Sequence, residues 1–253
     1  MIRMMRWVVI AAILTASIPT AFAGYTYRFT TTTKNAMGEQ LLSGRAAVDG
    51  PKMRIDFTRG DGLLFSDGSW LFSTDSGKTL TLVNPASHSY SSLQLGDLLR
   101  TAGSALRAFG GGETAFSAPT AIATEGGDGG PIAGFPTRRR TLHSAFDWTV
   151  KLMGERVTTH VDIVSESWIT TTLPAELTTF IQLPGFELGI ESIDRALRQQ
   201  SSTNGFPLRQ VTTTTTTTGS RRTVTTSETN ISAVAKTDLS PGVFSVPTGY
   251  KKE

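Results

Sequence analysis

Apolar and polar side chains alternate along several short stretches of this chain, and a period of two is typical of a half-buried β-strand. Tyr25, Tyr27 and Phe29 alternate with polar residues in the first such stretch, and residues 53–57 repeat the pattern. Each of these stretches is only long enough for a short strand. The first part of the chain is therefore predicted to be strand-rich.

Turn residues separate these stretches. Asp67-Gly68 lies between two apolar runs and is a strong hairpin signal, because glycine readily adopts the positive φ that tight turns require. Asn84-Pro85 marks another turn further along the chain. Short strands joined by tight turns predict an antiparallel meander over residues 25–90.

A helical period of 3.6 replaces the strand period in two later regions. The first region, residues 95–109, is predicted to be a helix whose apolar stripe covers the meander. A pair of helices is predicted between Pro174 and Leu197, and the glycine-rich stretch from about 110 to 134 is predicted to be a mobile loop. The stripe of the first helix consists of Leu95, Leu98, Leu99, Ala102, Ala105, Leu106 and Phe109.

A second hairpin is predicted over residues 138–150 and 157–169, from the positions of their apolar residues. Apolar residues are mostly even-numbered in the first stretch and odd-numbered in the second, so paired positions on a common face have an odd sum. A turn at Gly154-Glu155 satisfies that condition with pairs that sum to 309. This register places Trp148 opposite Val161, Phe146 opposite Ile163 and, unfavourably, Asp147 opposite Asp162.

A last hairpin is predicted from Phe206 to Val234, with its turn at Gly219-Ser220. Seven consecutive threonines, residues 212–218, precede that turn. Threonine is β-branched and favours strands, although a uniform run specifies the register only weakly.

The amino terminus has the order of features found in a removed secretory signal. Two arginines precede an apolar run over residues 7–18, and an Ala-Phe-Ala triplet follows. We expect residues 1–23 to be cleaved between Ala23 and Gly24. The mature chain, residues 24–253, is then a single periplasmic or secreted domain without a transmembrane segment.

Composition narrows the chemistry. The 24 basic residues less Arg3 and Arg6 of the signal, set against 21 acidic residues, leave the mature chain at +1. A net charge so close to zero produces no strong positive electrostatic potential that would attract nucleic acid. The chain contains no cysteine, which excludes disulfides, a thiol nucleophile and thiolate metal ligands.

Histidines and paired acids are the remaining candidates for catalysis. In the predicted register His143 lies near Glu166 and His160 near Thr149, about 17 Å apart along the ladder, so they share no metal. Asp147 and Asp162 project from the more polar face instead of into a cleft. We therefore expect no enzyme activity, no cofactor and no metal site.

The second half of the chain resembles the LolA/LppX-like superfamily of exported bacterial proteins, in particular its uncharacterised stand-alone members. The shared motifs are a strand start at Gly134-Phe135-Pro136, the strand end Ser167-Trp168-Ile169-Thr170, the helices, a strand start at Gly205-Phe206-Pro207-Leu208 and the closing Phe244-Ser245-Val246-Pro247-Thr248-Gly249-Tyr250. The resemblance implies an α+β, mainly β fold, in which helices cover the concave face of a strongly curved antiparallel half-barrel. No residue role transfers one for one.

The resemblance also implies binding of a lipid or acyl chain between sheet and helices. If the strands join one sheet, the apolar residues of both hairpins line this space beneath the helix. The predicted ligand-binding residues are Trp70, Phe72, Leu80, Leu82, Leu98, Leu106, Phe146, Trp148, Val161 and Ile163. The alternatives are that these residues are a filled core, that the protein is a cell-envelope module for protein–protein interaction, and that it is a hydrolase.

Overall fold

The computed structural model describes residues 24–60, 65–94, 97, 114–152, 155–174, 177 and 205–253. Nearly all of these residues belong to one open, curved sheet of twelve strands. The strands are β1 (Gly24–Asn35), β2 (Gly38–Asp49), β3 (Lys52–Arg59), β4 (Trp70–Ser73), β5 (Thr79–Asn84), β6 (Ser89–Gln94), β7 (Thr114–Ile132), β8 (Phe135–Leu152), β9 (Glu155–Thr170), β10 (Phe206–Thr218), β11 (Arg221–Thr237) and β12 (Lys251–Lys252). A short 3-10 helix, Pro241–Phe244, precedes β12.

The strand order is β12-β6-β5-β4-β3-β2-β1-β11-β10-β9-β8-β7. Neighbours pair antiparallel throughout, except that β12 pairs parallel with β6. The central pairing of β1 with β11 joins the meander to the last hairpin and brings residues far apart in sequence side by side, for example Phe29 and Ile231. The meander and the last hairpin were both predicted, but this pairing was not.

The predicted α+β class is wrong for the described residues. They form an almost entirely β structure, and no helix covers a face of the sheet among them. The segments predicted as helices, residues 95–109 and 174–197, lie almost wholly outside the described residues.

The glycine-rich stretch is also different from its prediction. Most of it is strand β7, which pairs along its length with β8 and forms one edge of the sheet. The ladder shifts at Ser117/Thr120, Glu125/Asp128 and Asp128/Gly130. Glycines are common at such bulges because the local backbone departs from regular strand geometry, so their density is compatible with a strand.

The β8–β9 hairpin is confirmed, with its register displaced by two residues. Trp148 pairs with Thr159 and Phe146 with Val161, so the sums are 307, not 309. A displacement of two preserves the assignment of side chains to faces. It also replaces the unfavourable Asp147–Asp162 pair by Asp147 opposite His160.

The sheet has two buried clusters, one on each face. We call the face that carries Tyr27, Ile55 and Ile231 the apolar face. It holds the larger cluster, which consists of Tyr27, Ala46, Val48, Met53, Ile55, Phe57, Leu71, Leu173, Leu177, Phe206, Leu208 and Ile231. These residues come from the meander, the last hairpin and the segment after β9, so their burial fixes the β1–β11 junction.

The opposite face is covered over β4 and β5 by the C-terminal segment. Phe244 of the 3-10 helix packs with Trp70, Phe72 and Val83. The Arg54 guanidinium lies 3.7 Å from the centre of the Trp70 ring and donates a hydrogen bond of 3.0 Å to the Val243 carbonyl. Burial and a cation–π contact thus hold the chain end against the meander.

Candidate functional site

The predicted ligand-binding residues divide between the two faces. Leu71 pairs with Leu82, whereas Trp70 pairs with Val83. Directly paired residues share a face, so Trp70 and Phe72 lie on one face of the sheet, in the cluster under the C-terminal segment. Leu80 and Leu82 lie on the other face, the apolar face. The prediction that these four line one volume is therefore wrong in its aromatic half.

The other predicted residues lie further along the sheet. Phe146, Trp148, Val161 and Ile163 follow from the register as one face of β8 and β9, the face they share with Thr212 and its alternate neighbours. The two helix residues, Leu98 and Leu106, lie outside the described residues.

A recess lies on the apolar face of the sheet. Its volume is about 150 Å³, and five strands contribute to it: β1, β2, β3, β10 and β11. Its lining consists of Tyr27, Phe29, Thr31, Leu42, Ile55, Pro207, Gln210, Thr229 and Ile231. None of these described lining residues carries a carboxylate, imidazole, amine or guanidinium, so they offer apolar contact and neutral hydrogen bonds.

Aromatic packing shapes the floor of this recess. The Tyr27 and Phe206 ring centres lie 5.3 Å apart, and Phe29 meets Phe57 edge-on at 6.3 Å. Gly44 lies opposite Phe29 in the β1–β2 ladder, where a Cβ would come within 2.9 Å of the Phe29 ring. Burial raises the pKa of the Tyr27 phenol well above its ordinary value, so Tyr27 is neutral at every physiological pH.

Hydroxyl and amide groups border the recess on one side. The Thr31 and Thr229 hydroxyl oxygens lie 2.9 Å apart, and the Gln210 side-chain amide donates to Ser165 at 2.9 Å. Further hydroxyl pairs continue away from the recess along the same face, including Thr33 with Ser227 at 3.2 Å. The threonine-rich strands thus supply a polar track beside an apolar floor.

Sequence reasoning missed this recess, although it identified some of its parts. The alternation of Tyr25, Tyr27 and Phe29 was recognised as a strand but was not assigned to a site. Pro207 and Ile231 belong to the last hairpin, and nothing local in the sequence indicates that this hairpin pairs with β1. The missing information is the long-range strand order.

Two of the three histidines form acid–imidazole pairs on the opposite face of β8 and β9. His143 Nε2 lies 2.7 Å from Asp162 Oδ2, and His160 Nδ1 lies 2.7 Å from Asp147 Oδ1. The predicted proximity of His143 to Glu166 is wrong because the register is displaced. The pairs are substantially exposed, and no group of three or more His, Asp or Glu side chains in the described ranges is arranged to hold a metal ion.

None of the described segments contains a helix of the length and apolar character needed to cross a membrane.

No protein-family model and no curated protein matches this sequence. Several solved structures match along most of the chain, and three of them illustrate the similarity. An uncharacterized conserved protein from Thermus thermophilus is 10% identical, with 92% of this chain and 90% of that chain covered and a TM-score of 0.40. A LolA superfamily protein from Nitrosomonas europaea is 10% identical, with 88% and 90% covered and a TM-score of 0.34. A putative outer membrane lipoprotein-sorting protein domain from Vibrio parahaemolyticus is 11% identical, with 89% and 90% covered and a TM-score of 0.32. The chain is therefore similar to solved structures that include a member of the superfamily that its sequence resembles.

Proposed function

We propose that this chain is an exported, non-enzymatic protein of the cell envelope that binds the apolar end of a lipid or another apolar ligand. The observation that carries the proposal is the recess of about 150 Å³ between β1–β3 and β10–β11. Its lining is mainly aliphatic and aromatic, and neutral polar groups border it. Sites that bind small molecules commonly combine an apolar lining with a few oriented polar groups.

The size of the recess limits what it holds. An apolar cavity of about 150 Å³ accommodates a molecule the size of benzene. A whole acyl chain exceeds that volume, so the recess holds the end of a chain or one ring of a larger ligand. The remainder of the ligand then lies along the apolar face, where Thr31, Thr229 and Gln210 offer hydrogen bonds to a polar group.

Export is proposed from the amino-terminal pattern. Two arginines, a short apolar run and an Ala-x-Ala site predict cleavage before Gly24 and release into the periplasm or the medium. Intact-mass measurement of the exported protein tests this directly, because a mature chain begins at Gly24. Retention of the apolar run over residues 7–18 would contradict it.

Filling the recess tests the ligand site. Leu42→Trp places a larger side chain in the lining, so binding of a long-chain fatty acid or an apolar fluorescent dye is expected to fall by at least about tenfold. Leu80→Trp is the matched control, because Leu80 packs against the same buried cluster but does not line the recess. The ligand also raises the melting temperature of the wild type, since it binds only the folded state.

Two results would contradict the proposal. One is equal loss of binding in the Leu42 and Leu80 variants while both remain folded. The other is failure of a panel of fatty acids, phospholipids and apolar dyes to bind the wild type or to raise its melting temperature.

A sheet edge favours a second candidate function, a module that binds another protein by strand addition. Strand β7 is 19 residues long and, among the described strands, has a neighbour on one side only, β8. Its Ile122 side chain is 62% exposed. An extended partner segment could pair with such an edge. Protection of β7 amides from hydrogen exchange by an envelope protein would favour this function, and unchanged exchange would contradict it.

A further inference from the structure

Four polar side chains belong to the described lining of the recess, and three of them are already engaged within the protein. The Thr31 and Thr229 hydroxyl oxygens lie 2.9 Å apart, and the Gln210 side-chain amide donates to Ser165. The Tyr27 hydroxyl, by contrast, makes no hydrogen bond with any residue in the described ranges. It is therefore the polar group of this lining that is left for an occupant of the recess.

Tyr27 is almost completely buried. The residue is only 3% exposed, yet its hydroxyl oxygen is not fully enclosed by protein atoms. Because Tyr27 borders the recess, a hydrogen-bond partner that enters the recess can reach this hydroxyl. The otherwise apolar floor thus contains one hydrogen-bonding group without a partner among the described residues.

Packing of the Tyr27 ring does not depend on its hydroxyl. The centre of the ring lies 5.3 Å from that of the Phe206 ring, and Ala46 is its direct neighbour in the β1–β2 ladder. A phenylalanine ring would make the same contacts. A buried hydroxyl without a partner costs free energy comparable to that of a lost hydrogen bond. An occupant that supplies the partner recovers this free energy.

Strand β11 is irregular directly opposite Tyr27. The β1–β11 ladder shifts between Thr26 and Arg28, so Ala233 and Val234 of β11 oppose Tyr27 alone. Ala233 has a φ of 51°, in the left-handed region that residues other than glycine rarely adopt. Bulges of this kind re-aim side chains and are frequent beside active sites. The irregularity therefore lies at the residue whose hydroxyl faces the recess.

We propose that the Tyr27 hydroxyl selects the ligand of the recess by donating a hydrogen bond to an acceptor oxygen on the group that enters it. The ligand then ends in a ring or chain that carries a ketone, ester or ether oxygen on an otherwise apolar frame. This inference rests on the proposed function, because it names the chemical class of ligand that the same recess takes.

The charge state of Tyr27 limits the charge of that ligand group. Burial raises the pKa of the phenol, so Tyr27 stays protonated and remains a donor throughout the physiological pH range. No cationic side chain belongs to the described lining, so a carboxylate buried there would lack a counter-charge. A pure hydrocarbon end fits the volume but leaves the hydroxyl unpaired. A neutral group that bears an acceptor oxygen satisfies both conditions.

Two six-membered rings of nearly equal shape test this selection. Cyclohexanone carries a carbonyl oxygen where methylenecyclohexane carries a CH2 group. NMR titrations of the mature wild type and of Tyr27→Phe, followed at the methyl signals of Leu42 and Ile231, measure the affinity of each ring at the recess. The ratio of ketone affinity to hydrocarbon affinity is expected to fall by about threefold to tenfold in Tyr27→Phe, because the hydrogen bond to the ketone is lost.

Tyr25→Phe is the matched control. Tyr25 lies two residues earlier on the same strand and face and packs against the same buried cluster, but it does not line the recess. This control should leave the ratio unchanged, and thermal unfolding verifies that both variants are folded.

Three results would overturn the inference, and they have different meanings. An unchanged ratio in Tyr27→Phe while both rings bind would show that the hydroxyl is satisfied by a retained water molecule, and the apolar site would stand. An equal fall of the ratio in both variants would assign the effect to packing. If neither ring shifts the Leu42 and Ile231 signals of the wild type, the proposed function itself fails.

Discussion

Gly44 shows how a single residue can control the recess. A Cβ at this position would collide with the Asp56 carbonyl oxygen and come within 2.9 Å of the Phe29 ring. Gly44→Ala should therefore push Phe29 out of place and lower the free energy of unfolding by about 1–3 kcal/mol.

Urea unfolding measures this loss, and Gly127→Ala is its control. Gly127 also lies in a strand, but a Cβ there would meet nothing within 4 Å. An equal effect of the two substitutions would mean that strand propensity, not the contacts with the Asp56 carbonyl oxygen and the Phe29 ring, determines the result.

Asp75 orders the turn between β4 and β5. Its carboxylate accepts hydrogen bonds from the Thr79 backbone N–H at 2.9 Å, the Thr79 hydroxyl at 2.7 Å and the Ser73 hydroxyl at 2.7 Å. Partial burial raises the pKa of Asp75, but these hydrogen bonds outweigh burial and hold the pKa below its ordinary value. A lowered pKa means that the folded state binds the proton less tightly than the unfolded chain does.

The contribution of Asp75 to stability is therefore complete above its unfolded-state pKa of about 3.9 and is lost as pH falls through the lower folded-state pKa. Asp75→Asn should reduce stability at neutral pH and flatten the loss of stability below about pH 4. Thermal unfolding measured from acidic to neutral pH tests this. An acid limb as steep as that of the wild type would show that other carboxylates account for it.

At the residue scale, the sequence predicted which side chains are buried better than it predicted the face of the sheet on which they lie. Trp70 and Phe72 were correctly recognised as buried, but they lie under Phe244, because Trp70 pairs with Val83 and not with Leu82. Strand β4 is short and buried on both faces, so its residues show no alternation of apolar and polar side chains. Its sequence therefore does not indicate which side chains point to which face.

At the element scale, the β8–β9 hairpin separates pattern from register. The even-numbered and odd-numbered apolar residues identify the face that the two strands share. They do so equally well whether the numbers of paired residues sum to 307, as observed, or to 309, as predicted. The sum of 307 is favoured because it places His160 opposite Asp147 in a 2.7 Å contact, whereas 309 opposes two aspartates. The hydrogen bond that His160 and Asp147 can form across the two strands was the signal that could have identified the register.

Cysteine cross-linking measures this register, and the chain suits it because it has no cysteine of its own. Asp147→Cys with His160→Cys places the two thiols at directly opposite positions, close enough for a disulfide. Asp147→Cys with Asp162→Cys is the control, since these positions are diagonal in the observed ladder. Rapid disulfide formation in the control alone would support the register that sums to 309.

Strand β7 shows the limit of local patterns at this scale. Glycines and a proline in residues 126–131 resemble a loop, yet the segment continues a ladder with β8 through three irregularities. The partner strand compensates for the weak local preference, because each cross-strand hydrogen bond is available only once β8 is in place. Local composition alone could not reveal that compensation.

At the scale of the whole molecule, the meander and the two later hairpins were predictable, and the order in which they join was not. The pairing of β1 with β11 brings Phe29 beside Ile231 and creates the recess between them. No short-range pattern specifies a contact between residues so far apart in sequence. The helices expected over the sheet formed no part of the described structure, and the candidate site accordingly moved from the β4 and β8 aromatics to the centre of the sheet.

A crystal structure of the mature protein with a long-chain fatty acid brominated at its terminal carbon tests the central claim most directly, because bromine is located by its anomalous scattering. We predict bromine in the recess, in contact with Phe29, Leu42 and Ile231, with the carboxyl end of the ligand toward Thr31 and Thr229. Bromine at any other place on the protein, or an empty recess at saturating ligand, would contradict the account.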